Sequence, residues 1–342
     1  MRELGIGVIG CGYWGPNVLR SFNTVQGCRV LRAADRRAGR RRFVAEQFPD
    51  VTLSEDHQPI LSDPAIDAVC VVTPVSTHHE LALAALRAGK HVFIEKPLAM
   101  TAAEAEEIVA LAAQRGLVVG VGHLFEYHPA VTALRTALAD GLIGDLAYMD
   151  AVRINLGPPT SEVNVLWDLA PHDLSMQILL AGEAPQTVTA FAGSFTRDGL
   201  LDAAFVHLGF ASGRMGHVHV SWLSPHKTRR LFVMGTRGSM LYDDTVPEKV
   251  RIFDQGFDSR AGATDDDAHA LFYRPAKVEV PLLSNDEPLR LECEEFARAI
   301  RTGSAPLADG ASGVRVVRVL AAAEQSLARG SVSVSLSEVG SV

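Results

Sequence analysis

The sequence contains no long apolar run and no excess of basic residues. No run approaches the roughly 20 residues that a membrane-spanning helix needs. Asp and Glu outnumber Lys and Arg by 40 to 32, which gives a formal net charge of −8. Binding to nucleic acid or to an anionic membrane surface needs a basic field that releases counterions. Both absences argue against such partners and favour a small-molecule ligand.

Cysteine is also scarce. The four cysteines, at positions 11, 28, 70 and 293, form no CxxC pair and no spacing typical of a metal site. Each lies in an apolar setting, which predicts reduced, buried thiols and no bound metal. The sequence leads directly into an apolar run and a glycine turn, so we expect no signal peptide and a cytoplasmic protein.

The chain has 342 residues, of which 47% are hydrophobic, enough for two domains that each bury a core. Within the first 122 residues, helical patterns such as Glu80–Ala88 and Ala102–Arg115 alternate with short apolar runs, and Thr101 and Glu104 form a predicted capping box. The runs are nearly continuous in Val, Ile, Leu and Ala, as is typical of parallel strands buried on both faces: Leu4–Ile9, Arg29–Ala34, Ala68–Val72, Val92–Ile94 and Val118–Val121. Residues 1–123 are therefore predicted to form a Rossmann domain, a doubly wound parallel sheet that binds a dinucleotide.

After about residue 124 the pattern changes to strand-like runs separated by turn residues. In HVHVSW, alternation puts His217 and His219 on one face and Val218 and Val220 on the other. A His-x-His metal pair is the less favoured interpretation, because no third ligand has a suitable spacing. Residues 124–342 are predicted to form an α/β domain with a mostly antiparallel sheet and at least one helix packed on it. Its predicted strands are Val188–Phe195, Ala204–Phe210, Met215–Trp222 and Arg230–Met234, and its closing helices are Leu289–Arg301 and Gly313–Leu327.

A dinucleotide-binding motif follows the first predicted strand. It has the GxGxxG pattern and comprises Gly10, Gly12, Tyr13, Trp14 and Gly15, with Cys11 between the first two glycines. The glycines permit a tight turn and the close approach of a pyrophosphate to backbone N–H groups at a helix start. Asp35 ends the second predicted strand, twenty positions after Gly15, and can accept hydrogen bonds from the adenosine ribose.

The choice between NAD and NADP depends on the residues around position 35. The carboxylate of Asp35 favours NAD, because it would repel the 2′-phosphate of NADP. Arg36, Arg37 and Arg40 follow it and could clamp that phosphate instead. NAD is the predicted cofactor, with Asp35 and Arg36 among its predicted contacts, and NADP stays open as an alternative.

Polar residues follow three of the predicted parallel strands. The carboxyl ends of such strands line one crevice in an open parallel sheet, and ligands bind there. Lys96 is therefore predicted to lie beside the nicotinamide end of the cofactor. The segments that follow the strands are Thr73-Pro74, Glu95-Lys96-Pro97 and His123.

Residues 164–174, NVLWDLAPHDL, supply a candidate acid–base pair. In a helix, Asp168 and His172 share a face, and a carboxylate can orient an imidazole and stabilise its protonated form. His172 is predicted to accept the proton of an alcohol that loses hydride to NAD, which requires it to meet Lys96 at one nicotinamide ring. Pro171 predicts an irregular start to the helix.

Four segments together resemble the Gfo/Idh/MocA oxidoreductases: GVIGCGYWGPN, TPVSTHHELALAALRAGKHVFIEKPLAM, VGHLFEYHPAV and NVLWDLAPHDL. Within that family, the chain is similar to the branch of UDP-N-acetylglucosaminuronate 3-dehydrogenases and related sugar 3-dehydrogenases. The resemblance implies a Rossmann domain followed by an α/β domain built on a large open sheet. In the family that sheet commonly packs against another subunit, which implies a homodimer or homotetramer.

The resemblance also implies roles for individual residues. Lys96 matches the lysine of the EKP motif, which touches nicotinamide and the reacting hydroxyl. Asp168 and His172 match the D-x-x-x-H pair, in which the histidine is the acid–base group. His128 stands where relatives often carry asparagine, close to the substrate pocket. Further implied contacts are Thr73, Pro74, His78 and Glu95 to the cofactor, and His123, Tyr127, Asn155 and Trp167 to the substrate.

The expected activity is NAD-dependent oxidation of a secondary sugar hydroxyl, at C3, to a 3-keto sugar. The expected substrate is a nucleotide-sugar or the ring of a glycoside, including an aminoglycoside, as in antibiotic biosynthesis. The run Asp265–Asp267, in a loop predicted over Arg260–Ala270, could attract such a cationic sugar, although a solvated loop is the simpler interpretation. Three alternatives stay open: a 3-ketoreductase running in reverse, an NAD-dependent glycosidase, and a non-catalytic dinucleotide-sensing regulator.

Overall fold

A computed structural model describes residues 2–157, 163–254, 257–258, 272–273 and 277–339, with only the backbone for 257–258 and 272–273. The described residues form two compact units. The first unit comprises residues 2–127, 286–321 and 339, and the second comprises the described residues of 128–285 together with 322–338. The loop predicted over Arg260–Ala270, with its run Asp265–Asp267, lies outside the described residues.

The first unit is built on the doubly wound parallel sheet that the sequence predicts. Its elements up to residue 121 are β1 (Leu4–Ile9), α1 (Gly15–Thr24), β2 (Cys28–Ala34), α2 (Ala38–Gln47), β3 (Thr52–Ser54), α3 (Gln58–Leu61), β4 (Ala68–Val71), α4 (His78–Arg87), β5 (His91–Ile94), α5 (Ala102–Arg115) and β6 (Val119–Val121). The strand order is β3-β2-β1-β4-β5-β6, and all neighbouring strands are parallel. Every residue of β1 and β4 is buried, which explains their continuous apolar sequence.

The predicted capping box of α5 is present. The backbone N–H of Glu104 donates to Thr101 Oγ1 at 3.2 Å, and the N–H of Thr101 donates to Glu104 Oε2 at 3.1 Å. The helix ends at Gly116, whose φ of 64° is the left-handed conformation that glycine adopts without strain. Local sequence therefore defines both ends of this helix.

The second unit contains a large, mostly antiparallel sheet, as predicted. The remaining elements of the chain are α6 (Pro129–Ala139), β7 (Leu146–Leu156), α7 (Val165–Ala181), β8 (Pro185–Gly193), β9 (Ala203–Phe210), β10 (Met215–Ser221), β11 (Leu223–Gly235), β12 (Ser239–Asp243), β13 (Val250–Phe253), β14 (Phe257–Asp258), β15 (Phe272–Tyr273), β16 (Val278–Glu279), α8 (Pro288–Thr302), α9 (Gly310–Ala328) and β17 (Val334–Ser335). The described strands of this sheet follow the order β16-β13-β12-β11-β7-β10-β9-β8-β17, and β7 and β10 form a parallel pair. The central strand β7 was not predicted, because its sequence LAYMDAVRINL mixes charged and apolar residues on both faces.

The alternation predicted for β10 is confirmed, and it defines two faces of the sheet. The inner face packs on α7 and carries Arg153, Val218, Val220, Trp222 and Arg229. The outer face carries Tyr148, Phe191, Phe205, His207, Met215, His217, His219 and Phe232. Within the described residues, no group of three or more His, Cys, Asp or Glu side chains is arranged to hold a metal ion.

Helix α7 begins regularly, contrary to the irregular start predicted from Pro171. The side chain of Asn164 accepts hydrogen bonds from the backbone N–H groups of Leu166 at 3.0 Å and Trp167 at 3.2 Å. The helix starts at Val165, so Pro171 lies inside it rather than in its first turn. The prediction was wrong because the asparagine cap stabilises the start well before the proline is reached.

Helix α8 belongs to the first unit, which differs from the predicted division at residue 123. Its apolar positions Leu289, Cys293 and Phe296 lie on one helix face and join the hydrophobic core under the parallel sheet. The Phe296 ring contacts the rings of Phe22 and Phe93 edge to face, with centroids 6.2 and 5.7 Å apart. The Rossmann core is thus completed by a segment more than 160 residues further along the chain.

Among the described residues, no helix has the length and apolar character that crossing a bilayer requires. The four cysteines are all free and buried, as the sequence predicts.

Helix α8 also carries a buried acid. Glu292 is 1% exposed, and neither of its carboxyl oxygens has a hydrogen-bond partner among the described residues. Burial raises the pKa of Glu292 well above its ordinary value, and the nearby carboxyl groups of Glu95 and Glu126 raise that pKa further. The folded chain therefore favours a protonated Glu292, whereas the unfolded chain ionises it at neutral pH.

We predict that Glu292→Gln raises the melting temperature near pH 8 but not near pH 5. A carboxyl group whose folded-state pKa exceeds its unfolded-state value of 4.5 costs stability once the pH rises above that value, and glutamine does not titrate. Circular dichroism melts at both pH values measure the difference, which we expect to reach about 2 °C or more near pH 8.

The control is Glu294→Gln, because Glu294 lies on the same helix with a half-exposed side chain that pairs with Arg290. Surface pairs of this kind contribute little, so we expect a small change at both pH values. Equal effects of the two substitutions near pH 8, or a gain from Glu292→Gln that is independent of pH, would contradict the prediction.

Candidate active site

The glycine motif forms a tight turn between β1 and α1. Gly10 has a φ of +102°, and a Cβ atom there would lie 2.3 Å from the carbonyl oxygen of Val72. A Cβ atom on Gly15 would lie 2.3 Å from the carbonyl oxygen of Gly10. Both positions therefore require glycine. A Cβ atom on Gly12 would meet only the Arg37 guanidinium, at 3.6 Å, so the backbone at Gly12 is open to a ligand.

The start of α1 suits a pyrophosphate. Trp14 precedes the helix and makes no side-chain hydrogen bond to it. Pro16 has no N–H, and the N–H of Asn17 donates to the carbonyl oxygen of Trp14 at 2.9 Å, so the N–H of Gly15 is the one in this first helical turn that can donate to an anion. The Tyr13 side chain is 90% exposed, and the Trp14 indole is half-buried. The residues of this turn fit the dinucleotide that the motif predicts.

Asp35 is buried at the end of β2 and is ionised. Its Oδ2 accepts a hydrogen bond from the backbone N–H of Cys11 at 2.9 Å, and its Oδ1 accepts one from the N–H of Arg37 at 2.9 Å. The Arg37 guanidinium pairs with the same carboxylate at 3.1 Å. Burial acts to raise the pKa of Asp35, but the hydrogen bonds from Arg37 and Cys11 outweigh it and hold the pKa below its ordinary value. A buried carboxylate in this place can accept hydrogen bonds from a ribose.

The neighbouring arginines have different positions. The Arg40 guanidinium donates to the carbonyl oxygens of Cys11, at 2.6 Å, and Gly12, so it is bound to the glycine turn. The Arg36 side chain is exposed. Of these three arginines, Arg37 is therefore the one that pairs with Asp35, the carboxylate expected to select the cofactor.

The residues after β4, β5 and β6 lie at one edge of the parallel sheet, where the sequence predicts a crevice. Thr73 is half-buried, Pro74 is exposed, and Lys96 is half-buried at a cis Lys96–Pro97 peptide bond. His78 connects two of these segments. Its Nε2 lies 2.8 Å from the carbonyl oxygen of Thr73, and its Nδ1 lies 2.9 Å from that of Pro97.

His78 therefore holds the segments that contain Thr73 and Pro97 in position. It is 1% exposed, and burial lowers its pKa. The resemblance placed it near the cofactor, but its hydrogen bonds to both segments could not be read from a single histidine at the start of a helix.

Burial shifts the pKa values of two neighbours of Lys96 towards their neutral forms. Burial raises the pKa of Glu95 to about 7, against the opposing effect of the Lys96 ammonium group. Burial, followed by the charges of Lys96 and Arg315, lowers the pKa of His123 to about 3. His123 is 1% exposed, and neither ring nitrogen has a hydrogen-bond partner among the described residues. His123 is thus a neutral neighbour of Lys96.

Tyr127 lies in the core of the first unit. Its hydroxyl oxygen accepts a hydrogen bond from the backbone N–H of Ala308 at 3.0 Å, and its ring is buried. Its predicted contact with the substrate stays a prediction.

In the second unit, Asp168 and His172 both lie on α7, four residues apart and half-buried. The Trp222 indole N–H donates to Asp168 Oδ2 at 3.3 Å. Sequence reasoning missed Trp222 as a partner of this carboxylate, and its only signal is that it ends the alternating segment on the face opposite His217. The acid–base pair that the sequence predicts is thus held on a regular helix.

Three further predicted substrate contacts also belong to the second unit. The indole of Trp167 is 3% exposed and donates to Glu324 Oε1 at 2.7 Å. Asn155 lies on β7, two residues after Arg153 and on the same face. His128 caps α6, because its Nδ1 accepts a hydrogen bond from the backbone N–H of Ala130 at 3.0 Å.

Two family models match the chain. The oxidoreductase model with an NAD-binding Rossmann fold covers residues 4–123, and the Gfo/Idh/MocA C-terminal domain model covers residues 131–241. The UDP-N-acetylglucosamine 3-dehydrogenase of Acidithiobacillus ferrooxidans is 29% identical over 93% of this chain and 95% of its own length. Its solved structure superposes with a TM-score of 0.81, over 94% of this chain and 97% of that one.

Two other relatives are similar over most of their length. The scyllo-inositol 2-dehydrogenase (NAD(+)) of Bacillus subtilis is 28% identical over 89% of this chain and 86% of its own. The structure of an oxidoreductase from Magnetospirillum magnetotacticum is 30% identical over 94% of this chain and 99% of that one, with a TM-score of 0.80. Together with the glycine turn, the buried Asp35 and the helical Asp168–His172 pair, these matches show that the chain belongs to the Gfo/Idh/MocA family of oxidoreductases and carries its NAD-binding Rossmann domain.

Proposed function

We propose that the protein oxidises a secondary hydroxyl group of a sugar, at C3, to a 3-keto sugar, with NAD as the hydride acceptor. The observation that carries the proposal is the Asp168–His172 pair on α7, whose carboxylate is bound by the Trp222 indole. A dehydrogenase needs such a pair to remove the hydroxyl proton. Two relatives named above are a sugar 3-dehydrogenase and an inositol 2-dehydrogenase, both of which act on ring hydroxyls.

Each catalytic residue has one role in this proposal. His172 accepts the hydroxyl proton, and Asp168, one helical turn away, stabilises the imidazolium ion that forms. The Lys96 ammonium group stabilises the negative charge that develops on the substrate oxygen. Its neighbour His123 is held neutral by burial, which avoids a competing positive charge. NAD, when bound, supplies the acceptor for the hydride.

Two observations support NAD rather than NADP. Asp35 is ionised where a 2′-phosphate would lie, and Arg37 is already paired with it. Arg40 is bound to carbonyl oxygens of the glycine turn, which leaves it fewer donors for a phosphate. A cytoplasmic location is also part of the proposal, and four free, buried thiols are consistent with it.

The alternatives differ from the proposal in the fate of the cofactor. A glycosidase regenerates NAD within each turnover and accumulates no NADH, and a dinucleotide-sensing regulator needs no acid–base pair. A 3-ketoreductase uses the same residues in reverse. Net NADH formation with a sugar therefore separates a dehydrogenase from the glycosidase and from the regulator.

We also propose that the protein is a homodimer or homotetramer through the outer face of the sheet. That face exposes 51% of Phe191, 39% of Phe205, 61% of Met215 and 37% of Tyr148. The Phe205 ring stacks on His219 with centroids 4.3 Å apart, so the exposed surface contains stacked aromatic rings. Exposed apolar patches of this kind mark interaction sites, and a second copy of the same sheet face matches them by two-fold symmetry.

The first test substitutes the acid–base and cationic residues. Lys96→Ala and His172→Ala should each lower kcat by about 100-fold or more, because each removes a group that acts in the transition state. Absorbance of reduced nicotinamide, with NAD and a panel of UDP-sugars and aminoglycosides, measures turnover. NADH affinity of His172→Ala should stay close to that of the wild type.

His79→Ala is the matched control, because His79 pairs with Glu107 on the surface of the first unit. It should keep wild-type turnover. Full turnover in Lys96→Ala or His172→Ala would exclude the proposed roles.

The second test concerns cofactor choice. Asp35→Ser should weaken NADH binding about tenfold, because it removes a charged acceptor of ribose hydrogen bonds. The same change should strengthen NADPH binding relative to NADH, since it removes a like charge and releases Arg37. Fluorescence titrations with both reduced cofactors measure the two dissociation constants, and Asp56→Ser, which changes an exposed carboxylate, is the control. An unchanged NADH-to-NADPH ratio would contradict the prediction.

The third test concerns the oligomer. Phe205→Glu places a charge in the centre of the outer face and should convert the protein to monomers, as measured by light scattering after gel filtration. Leu282→Glu changes a fully exposed apolar residue elsewhere and should leave the oligomer intact. A monomeric wild type, or an intact oligomer in Phe205→Glu, would rule out this interface.

A further inference from the structure

Two consecutive arginines on β11 lie on opposite faces of the sheet. The side chain of Arg230 is on the outer face and is exposed. Arg229 is on the inner face with Leu231 and Val233, which are both fully buried. Its strand partner on β7 is Arg153, so two guanidinium groups lie side by side on the inner face. Like charges directly opposite one another destabilise a sheet unless anions balance them.

Only one of these two arginines has a complete ion pair. Arg153 donates from Nε to Asp173 Oδ2 at 2.6 Å and from Nη2 to Oδ1 at 3.1 Å, in a buried bidentate pair. Among the described residues, Asp244 is the carboxylate that lies within 4 Å of the Arg229 guanidinium, and it binds the ammonium group of Lys249 at 2.9 Å. Its closest approach to the Arg229 guanidinium is 3.8 Å. Among the described residues, this Arg229 cluster therefore holds three cations, Arg153, Arg229 and Lys249, against two carboxylates, Asp173 and Asp244.

Arg229 carries the unbalanced charge. Its Nε is buried and has no hydrogen-bond partner among the described residues, whereas its side chain as a whole is 32% exposed. Burial, followed by the charge of Arg153, lowers the pKa of Arg229. A partly desolvated cation with an unmet donor costs stability, and an oxyanion that reaches it from solvent would satisfy both the charge and the donor.

A neutral hydrogen-bond donor lies beside the cluster. His128 accepts the N–H of Ala130 at Nδ1, so the proton of its neutral ring is on Nε2, 3.8 Å from Asp244. Burial lowers the pKa of His128, which keeps the ring neutral. The His128 ring packs against Tyr242, with centroids 5.3 Å apart. The group therefore adds a donor without adding charge.

The cluster is connected to the helix that carries the acid–base pair. Asp173, the partner of Arg153, is the residue that follows His172 on α7. Arg229 thus lies on the sheet face that α7 covers, one strand away from the ion pair that binds α7 to the sheet.

We propose that Arg229 binds an oxyanion of the substrate, so that the sugar oxidised by this protein is an acidic one. The inference rests on the proposed function and names the class of its substrate. The oxyanion is a ring carboxylate or a phosphate, because the planar guanidinium binds both through paired N–H donors.

Five sugars distinguish the two sources: glucose, glucuronate, glucose 1-phosphate, UDP-glucose and UDP-glucuronate. Calorimetric titration of the full chain with saturating NADH measures binding alone, because the reduced cofactor accepts no hydride. In the wild type, we expect the carboxylate or the phosphate to improve affinity about tenfold or more over the matched sugar without it. Glucuronate against glucose reports the carboxylate, and glucose 1-phosphate against glucose reports the phosphate.

Arg229→Gln should abolish that preference, and Arg230→Gln should retain it, since the two residues differ chiefly in the face that they occupy. Arg229→Lys, which keeps the charge and loses the planar fork, should lose part of the preference and serves if Arg229→Gln does not fold. A wild type without either preference, or Arg229 variants with the wild-type preference, would overturn the proposal.

Absorbance assays with NAD and the same sugars separate this proposal from the proposed function. Anion-dependent binding that Arg229→Gln abolishes, without NADH formation from any sugar, would leave the anion site intact and exclude the dehydrogenase. NADH formation that is equal in the wild type and Arg229→Gln would support the dehydrogenase and exclude the anion site at Arg229.

Discussion

The buried ion pair between Arg153 and Asp173 is the interaction on which the second unit depends. Both side chains are less than 5% exposed, and the pair is bidentate. Removing one partner of such a pair costs about 3–5 kcal/mol, because the other charge is left buried and unpaired. The pair also fixes α7 on the central strand β7, and α7 carries Asp168 and His172. The ion pair that stabilises the sheet therefore also holds the helix that carries Asp168 and His172 in place.

The Arg153–Asp173 pair also explains why the neighbouring Arg229 has an incomplete ion pair. Because Arg153 is satisfied by Asp173, the neighbouring Arg229 has to share Asp244 with Lys249. Among the described residues, the Arg229 charge on the inner face is thus not fully balanced by a carboxylate of its own. The sheet combines a structural role, through one arginine, with a binding role that we assign to the other.

In the first unit, burial rather than pairing determines the charges near Lys96. Glu95 and His123 are ionisable groups whose pKa values burial shifts in opposite directions, and in both cases towards the neutral form. His78 also fixes the backbone in this region, since its two ring nitrogens lie within hydrogen-bond distance of the carbonyl oxygens of Thr73 and Pro97. The cation of the EKP motif thus lies near buried groups whose pKa values are shifted towards their neutral forms.

Much of the fold was predictable because its signals are local. The strand β1 and the helix α5 have the predicted bounds, since continuous burial and a capping box leave their marks within a few residues. The strand β7 was missed because its inward polar residues Arg153 and Asn155 break the apolar pattern, and Asp173, the partner of Arg153, lies on the helix α7. For α7, the asparagine cap outweighed the proline that suggested an irregular start.

The sequence alone determined the parallel sheet, the glycine turn, the acidic residue at its second strand and the spacing of Asp168 and His172, because each is a property of adjacent residues. Only the tertiary structure decided which charges are balanced, which ionisable groups are neutral and that α8 completes the Rossmann core. Those properties depend on burial and on contacts between residues far apart in the chain. Periodicity distinguishes the two sides of a strand, but only the packing of α7 on the sheet revealed that Arg229, and not Arg230, lies on the face that α7 covers.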